Sequence, residues 1–213
     1  MSDVALATLA APEAPAVHTT RFHVRRLPDA PLGAEILGLA DAADLSDADI
    51  AAIRQAWLAH DGLLVFRDVQ LTPQSQVEFS RRFGPLQVHV LNQFHLAGHP
   101  EILVVSNVVE NGKPIGLGDA GRDWHSDLSY KPLPSLGSLL LTRELPEEGG
   151  DTLFANTAAA WEGLPGEMKQ RLGGYKTLSS FAKYSTQKSD GREKLGQTVP
   201  DVVHPLARTH PVT

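Results

Sequence analysis

The 213-residue chain has no cysteine. Disulfide frameworks, thiolate metal sites and thiol nucleophiles are therefore excluded, and any metal must be held by His, Asp or Glu. Clustered positive charge is missing too: the formal net charge is -6, and no basic run exceeds the pairs Arg25-Arg26 and Arg81-Arg82. No footprint for nucleic acid or acidic lipid is left. Long apolar runs are also absent, since no window approaches the ~18 apolar residues of a spanning helix. The opening stretch, MSDVALATLAAPEAPAV, has no Lys or Arg, and Pro12 and Glu13 interrupt its apolar run. It reads as a disordered Ala/Pro-rich tail over residues 1–20 and not as an export signal. Internal repeats and low-complexity linkers are lacking. The expectation is one cytoplasmic domain from residue 21 onward, acting on a small molecule with neither nucleic acid nor membrane as partner.

Helix and strand signals alternate beyond the tail. In LSDADIAAIRQAWLAHDG, Ser46 is a candidate N-cap with Asp49 three residues on, and Ile50, Ile53 and Trp57 follow at helical spacing before Gly62. LLVF, 63–66, is short enough for a buried strand, and LTPQSQVEFSRRFG offers a second helix with Thr72 as cap and Pro73 at the first position. Phe79 and Phe83 are expected in the core. ILVVSN, 102–107, reads as a strand, followed by a glycine-rich polar loop whose residues from Val108 to Asp123 are a candidate lid. SLGSLLLTREL and GGDTLFAN are further strand candidates, and a helical pair split by Pro165 spans Ala158 to Leu172.

The chemistry concentrates in GRDWHSDLSY, 121–130. On a strand, residues i and i+2 share a face, so His125 and Asp127 would point together. An imidazole with a carboxylate is the mixed donor set that suits non-heme Fe(II), where two histidines and one carboxylate leave positions open for substrate and oxygen. Such a site needs one more histidine, and H-x-D alone is a weak motif.

The surrounding text is more specific. WHSDLSY followed by LLLTRELPEEGGDTLFANTAAAWEGLP closely resembles the taurine dioxygenase and 2,4-D dioxygenase family of Fe(II)- and 2-oxoglutarate-dependent oxygenases. The resemblance extends through LGAEI, LLVFRDVQLTPQSQVEFSRRFGPL and HPLARTHP, and so over nearly everything after residue 21. It implies a mainly β domain with flanking helices, a double-stranded β-helix or jelly roll, incomplete at the C-terminus over residues 21–213. It implies Fe(II) as cofactor, with 2-oxoglutarate and O2 as cosubstrates. His125 and Asp127 match the first two iron ligands, Thr152 the threonine on a 2-oxoglutarate carboxylate, and Leu140 a position lining the cosubstrate pocket. His89 matches a substrate-contacting histidine.

Two departures qualify the match. Gly121 stands where taurine-specific members carry an asparagine, which turns the expectation away from taurine toward another sulfonate, a sulfate ester or an aryloxyalkanoate. The family's third iron ligand and its 2-oxoglutarate-binding arginine would lie past Thr213, and neither His204 nor His210 matches a ligand position. The alternative reading is a jelly-roll binding protein or fragment without iron chemistry. Family members commonly self-associate, so a homo-oligomer is also expected.

Overall fold

The structure is a computed structural model that describes residues 21–42, 44–118, 120–121, 123–184 and 198–213. The expected tail, 1–20, lies outside the described residues. The chain divides into two compact units, Met1–Gln70 and Leu71–Thr213.

The first unit is a three-stranded sheet with one crossover helix. Strand β1 (His23–Arg26) runs antiparallel to β2 (Ala34–Leu37), and β2 runs parallel to β3 (Leu64–Phe66). Parallel neighbours need a long connection, which here is helix α1 (Asp47–Ala59). The expected box at its start is present: Asp49 N–H donates to Ser46 Oγ at 3.2 Å, and Ser46 N–H donates to Asp49 Oδ2 at 3.0 Å. Ile50, Ile53 and Ala56 bury one helix face, while Phe22, Ala34, Ile36 and Leu39 bury the sheet side.

Glu35 sits on the central strand and is only 5% exposed. A buried carboxylate is tolerated only when paired and hydrogen-bonded. Here Arg25 donates to Oε2 through Nη2 at 2.6 Å and Nε at 3.0 Å, while Arg67 donates to Oε1 through Nε at 2.9 Å. Both arginines flank it in the sheet, since Arg25 is its register partner on β1 and Arg67 follows β3. Hydrogen bonds from Arg25 and then Arg67 hold the Glu35 carboxyl below its usual range against an opposing burial effect.

The second unit holds the remaining elements. Helix α2 (Pro73–Arg81) starts at Thr72, as expected, with Ser75 completing the box. Phe79 is buried, and Phe83 packs edge-on against it while half-buried. Arg81 pairs with Glu101 at 2.6 Å and ties α2 to the antiparallel pair β4 (His95–Leu96) and β5 (His99–Leu103). The strand expected over 102–107 thus lies earlier and ends at Leu103.

The expected glycine-rich loop is partly built. Strands β6 (Val109–Glu110) and β7 (Lys113–Pro114) form a hairpin. Its turn is Asn111-Gly112, both with positive φ, the conformation that this dipeptide favours. Beyond it Leu117 is buried, and its N–H donates to Val104 O at 2.8 Å. A Cβ on Gly116 would stand 2.8 Å from the Val104 carbonyl oxygen, so only glycine admits this approach. Within the stretch expected as a lid, residues from Val108 to Leu117 are held by backbone bonds.

Helices α3 (Thr157–Glu162) and α4 (Gly166–Leu172) confirm the pair split at Pro165. Strand β8 (Lys176–Ser179) leads into α5 (Phe181–Tyr184) and pairs antiparallel with β9 (Val202–Pro205). Leu91, Leu117, Tyr130 and Phe181 form the buried cluster of this unit. The strands expected in SLGSLLLTREL and GGDTLFAN are absent: residues 135–156 form no ladder, and Leu140, Leu145 and Leu153 are exposed. The apolar run alone could not supply the neighbouring strand that a ladder needs. No described helix is long and apolar enough to cross a membrane.

Because the folded-state carboxyl of Glu35 is held below its ordinary value, its contribution is full above that value and is lost as pH falls through the lower one. Glu35→Gln is therefore expected to lower the urea midpoint at about pH 7. The gap to the parent should begin to narrow below about pH 4, where unfolded-state glutamates protonate, and close only in stronger acid, below the lowered folded-state value. Urea titrations at neutral pH and in that stronger acid read this directly, and a gap that persists there would contradict it.

Candidate metal centre

The segment carrying His125 and Asp127 is not a strand. Residues 124–126 belong to no regular element, and a turn runs from Asp127 to Tyr130. The expectation of a shared strand face is corrected, yet the two side chains still meet, with His125 Nε2 3.2 Å from Asp127 Oδ1. The turn itself brings this about. Leu128 adopts φ 52°, in the left-handed region, and Lys131 N–H closes the turn on Leu128 O at 2.9 Å. A leucine in that region costs on the order of 1 kcal/mol or more and persists only where its surroundings over-determine it.

Each partner of the pair is oriented from its far side. The carbonyl of Asp123 can only accept, so His125 Nδ1, 2.8 Å away, carries the hydrogen. The other ring nitrogen, Nε2, then faces Asp127. Asp127 Oδ2 accepts from the hydroxyl of Ser138 at 2.5 Å, which leaves Oδ1 for the imidazole side. Two lone pairs facing each other across 3.2 Å repel unless a cation joins them. A proton can do so, and so can a metal: donors about 2.1 Å from one metal at right angles stand roughly 3 Å apart. The donor set and its spacing therefore fit a divalent cation, with the carbonyl and hydroxyl as the orienting outer partners that metal ligands need. The side chains of His125 and Asp127 are 44% and 53% exposed, so a cation can reach them. Among the described residues no third His, Cys, Asp or Glu joins the pair.

The turn is anchored below and on both flanks. Tyr130 is buried and meets Phe181 edge-on at 4.9 Å. Its hydroxyl has no hydrogen-bond partner among the described residues. Burial, and then the charge of Asp127, push that hydroxyl up to about 12. Lys131 Nζ donates to Gln87 Oε1 at 2.8 Å, and Gln87 Nε2 to Leu133 O at 3.4 Å. His204 Nε2 lies 3.0 Å from Ser129 O and 3.1 Å from Lys131 O. With two carbonyls as partners it must be an N–H donor, which removes Nε2 from the pool of metal ligands. His210 is likewise occupied, its Nδ1 accepting from Thr213 N–H at 3.1 Å.

His89 lies two residues beyond Gln87 and is half-buried. Its Nδ1 accepts Leu91 N–H at 3.1 Å, and its carbonyl accepts from His95 Nε2 at 2.8 Å. The Gln87–Lys131 bond joins the segment of His89 to the turn that carries Asp127. Thr152 and Leu140 are not brought to the pair. Thr152 is exposed, two residues after Gly150, which like Gly149 has positive φ, and makes no hydrogen bond among the described residues. Leu140, expected in the interior, is 72% exposed. Ser138, Gln87 and His204 escaped the sequence reading because their partners lie far along the chain. Only the proximity of Tyr130 to Asp127 left a local signal.

Comparison with known proteins places this geometry. The family model described as taurine catabolism dioxygenase TauD, TfdA family matches residues 23–213. A pentalenolactone F synthase from Streptomyces avermitilis is 36% identical over 162 residues, covering 74% of this chain and 53% of the relative. An (S)-phenoxypropionate/alpha-ketoglutarate-dioxygenase from Sphingobium herbicidovorans is 31% identical, covering 87% of this chain and 66% of the relative. The crystal structure of AAD-2 in complex with Mn(II) and N-oxalylglycine superimposes with a TM-score of 0.63 at 26% identity, over 90% of this chain and 66% of that one. The chain thus spans between about half and two-thirds of the length of these relatives. Because the match begins at residue 23 and runs through the paired His125 and Asp127 to Thr213, the chain belongs to the TauD, TfdA family of taurine catabolism dioxygenases.

Proposed function

We propose that this chain carries the iron site of an Fe(II)- and 2-oxoglutarate-dependent dioxygenase that oxidises a C–H bond of a small anionic organic substrate. The observation that supports it most is the approach of His125 Nε2 to Asp127 Oδ1 at 3.2 Å, with the outer atoms of both groups already engaged. Names of relatives add the cosubstrate, since one is a phenoxypropionate/alpha-ketoglutarate-dioxygenase and another an alpha-ketoglutarate-dependent sulfate ester dioxygenase from Pseudomonas putida. The finer fold we assign to the domain is the jelly roll of its family.

In this reading His125 Nε2 and Asp127 Oδ1 hold the metal, Thr152 donates its hydroxyl to a carboxylate of 2-oxoglutarate, and Leu140 lines the cosubstrate pocket. Fe(II) held here would activate O2, with 2-oxoglutarate as the co-reductant, one oxygen atom ending in succinate, formed with release of CO2, and the other in the oxidised substrate. The protein's own work is placement. Asp123 O keeps a hydrogen of His125 on Nδ1, so that Nε2 is the ring nitrogen left to face a metal. Ser138 keeps the Asp127 carboxylate from rotating. His89, whose Nδ1 accepts Leu91 N–H, is the substrate-contacting histidine of this reading. Thr152 and Leu140, exposed on a segment without a ladder, must close over the cosubstrate when it binds. The substrate class is a sulfonate, a sulfate ester or an aryloxyalkanoate.

Anaerobic titration of the chain with Fe(II) in the presence of 2-oxoglutarate should produce a visible charge-transfer band. His125→Ala and Asp127→Ala should each abolish the band, and its absence from the parent, with no Fe(II) bound at equilibrium, would favour a binding protein without iron chemistry. Ser138→Ala should leave thermal unfolding nearly unchanged while weakening Fe(II) binding roughly tenfold, the lower end of the loss that follows removal of an orienting partner. Equilibrium Fe(II) titration of the variant measures this.

A further inference from the structure

We propose that His204 is the positioning residue of the candidate metal centre: by donating Nε2–H to the carbonyls of Ser129 and Lys131, it holds the turn that presents Asp127 to His125. The proposal rests on the reading of His125 and Asp127 as metal ligands, and it assigns His204 a role other than coordination.

The argument begins with Leu128. Its φ of 52° is a conformation that a leucine adopts only under constraint, and Leu128 directly follows Asp127. Within the turn only the bond from Lys131 N–H to Leu128 O opposes relaxation. The remaining constraint comes from far along the chain. His204 Nε2 sits 3.0 Å from Ser129 O and 3.1 Å from Lys131 O, so one donor spans the two peptide groups on either side of Tyr130. Between them the Tyr130 ring descends into the buried cluster and meets Phe181 at 4.9 Å.

Both anchors belong to one supersecondary unit. His204 lies on β9 opposite Thr177 of β8, and β8 runs through the buried Ser179 and Ser180 into Phe181. The β8–β9 pair therefore grips the turn twice, by its backbone through His204 and by its side chain through Phe181. A ring nitrogen suits the backbone grip because it is a rigid donor, whereas a lysine at this place would swing among acceptors. The carboxylate so held has its Oδ2 on Ser138 and its Oδ1 facing His125 before a metal arrives. Preorganised donors bind a metal more tightly than donors that must first be ordered.

Two variants separate this role from simple packing. His204→Phe fills the ring's volume without a donor, and His204→Gln restores an N–H donor. Amide hydrogen exchange in the metal-free chain reads the turn through Lys131 N–H, and Fe(II) titration reads its consequence. We expect His204→Phe to accelerate Lys131 exchange about tenfold while the β8–β9 amides exchange as in the parent, and to weaken Fe(II) binding about tenfold. His204→Gln should return both quantities to within about threefold of the parent. Unchanged Lys131 exchange in His204→Phe would overturn the proposal, as would acceleration shared equally by the β8–β9 amides. Faster Lys131 exchange with Fe(II) affinity equal to the parent's would overturn it as well. A parent that binds no Fe(II) would refute the metal reading instead, and the Lys131 exchange of the two variants would then still decide whether His204 holds the turn.

Discussion

The 3.2 Å approach of His125 Nε2 to Asp127 Oδ1 is the constraint on which the arrangement of the second unit turns. Left alone, the two groups would move apart, because with the ring hydrogen on Nδ1 both present lone pairs to the same space. Their proximity is imposed by everything around them: the Asp123 carbonyl on one side, the Ser138 hydroxyl on the other, and the strained turn at Leu128 between. Each of these contacts is individually modest. Together they select one rotamer for each donor, and a cation is the one partner that relieves the repulsion they create.

Glu35 in the first unit shows the opposite solution to a carboxylate set among fixed neighbours. Its two oxygens are each claimed by an arginine, and the group is sealed on a central strand. No capacity is left for a ligand, so its charge serves the sheet alone. Asp127 is exposed, has one oxygen bonded to a neutral hydroxyl and keeps the other toward an imidazole. The difference in partners, cations against neutral donors, separates a structural carboxylate from one that can take a metal.

Where sequence and structure agree, the cause is local. The boxes at Ser46 and Thr72 depend on residues three apart, and the helix pair divided by Pro165 depends on a ring that cannot continue the first helix. The Asn111-Gly112 hairpin is equally local, but Gly116, Gly118 and Gly121 beyond it make the stretch read as loop. Strands over 135–156 failed for the opposite reason, because a ladder is a property of two segments and an apolar run describes one. At the site, the motif named the two donors but wrongly put them on a strand. The contacts of Ser138, Gln87 and His204 were not legible there, since they reach residues 11, 44 and about 75 positions away.

That separation has a structural consequence. A turn held only by its own residues would relax Leu128 out of the left-handed region, and Asp127 would follow it. Holding the turn from β9 and Phe181 transfers the cost to elements that supply no donor to the pair. Metal affinity then depends on whether β8 and β9 stay paired, even though neither strand carries His125 or Asp127. Such coupling lets the donors themselves remain exposed and accessible, because their rigidity comes from a buried cluster beneath them and not from burial of the site. An exposed pair without that foundation would be mobile, and a buried pair would be closed to both metal and substrate.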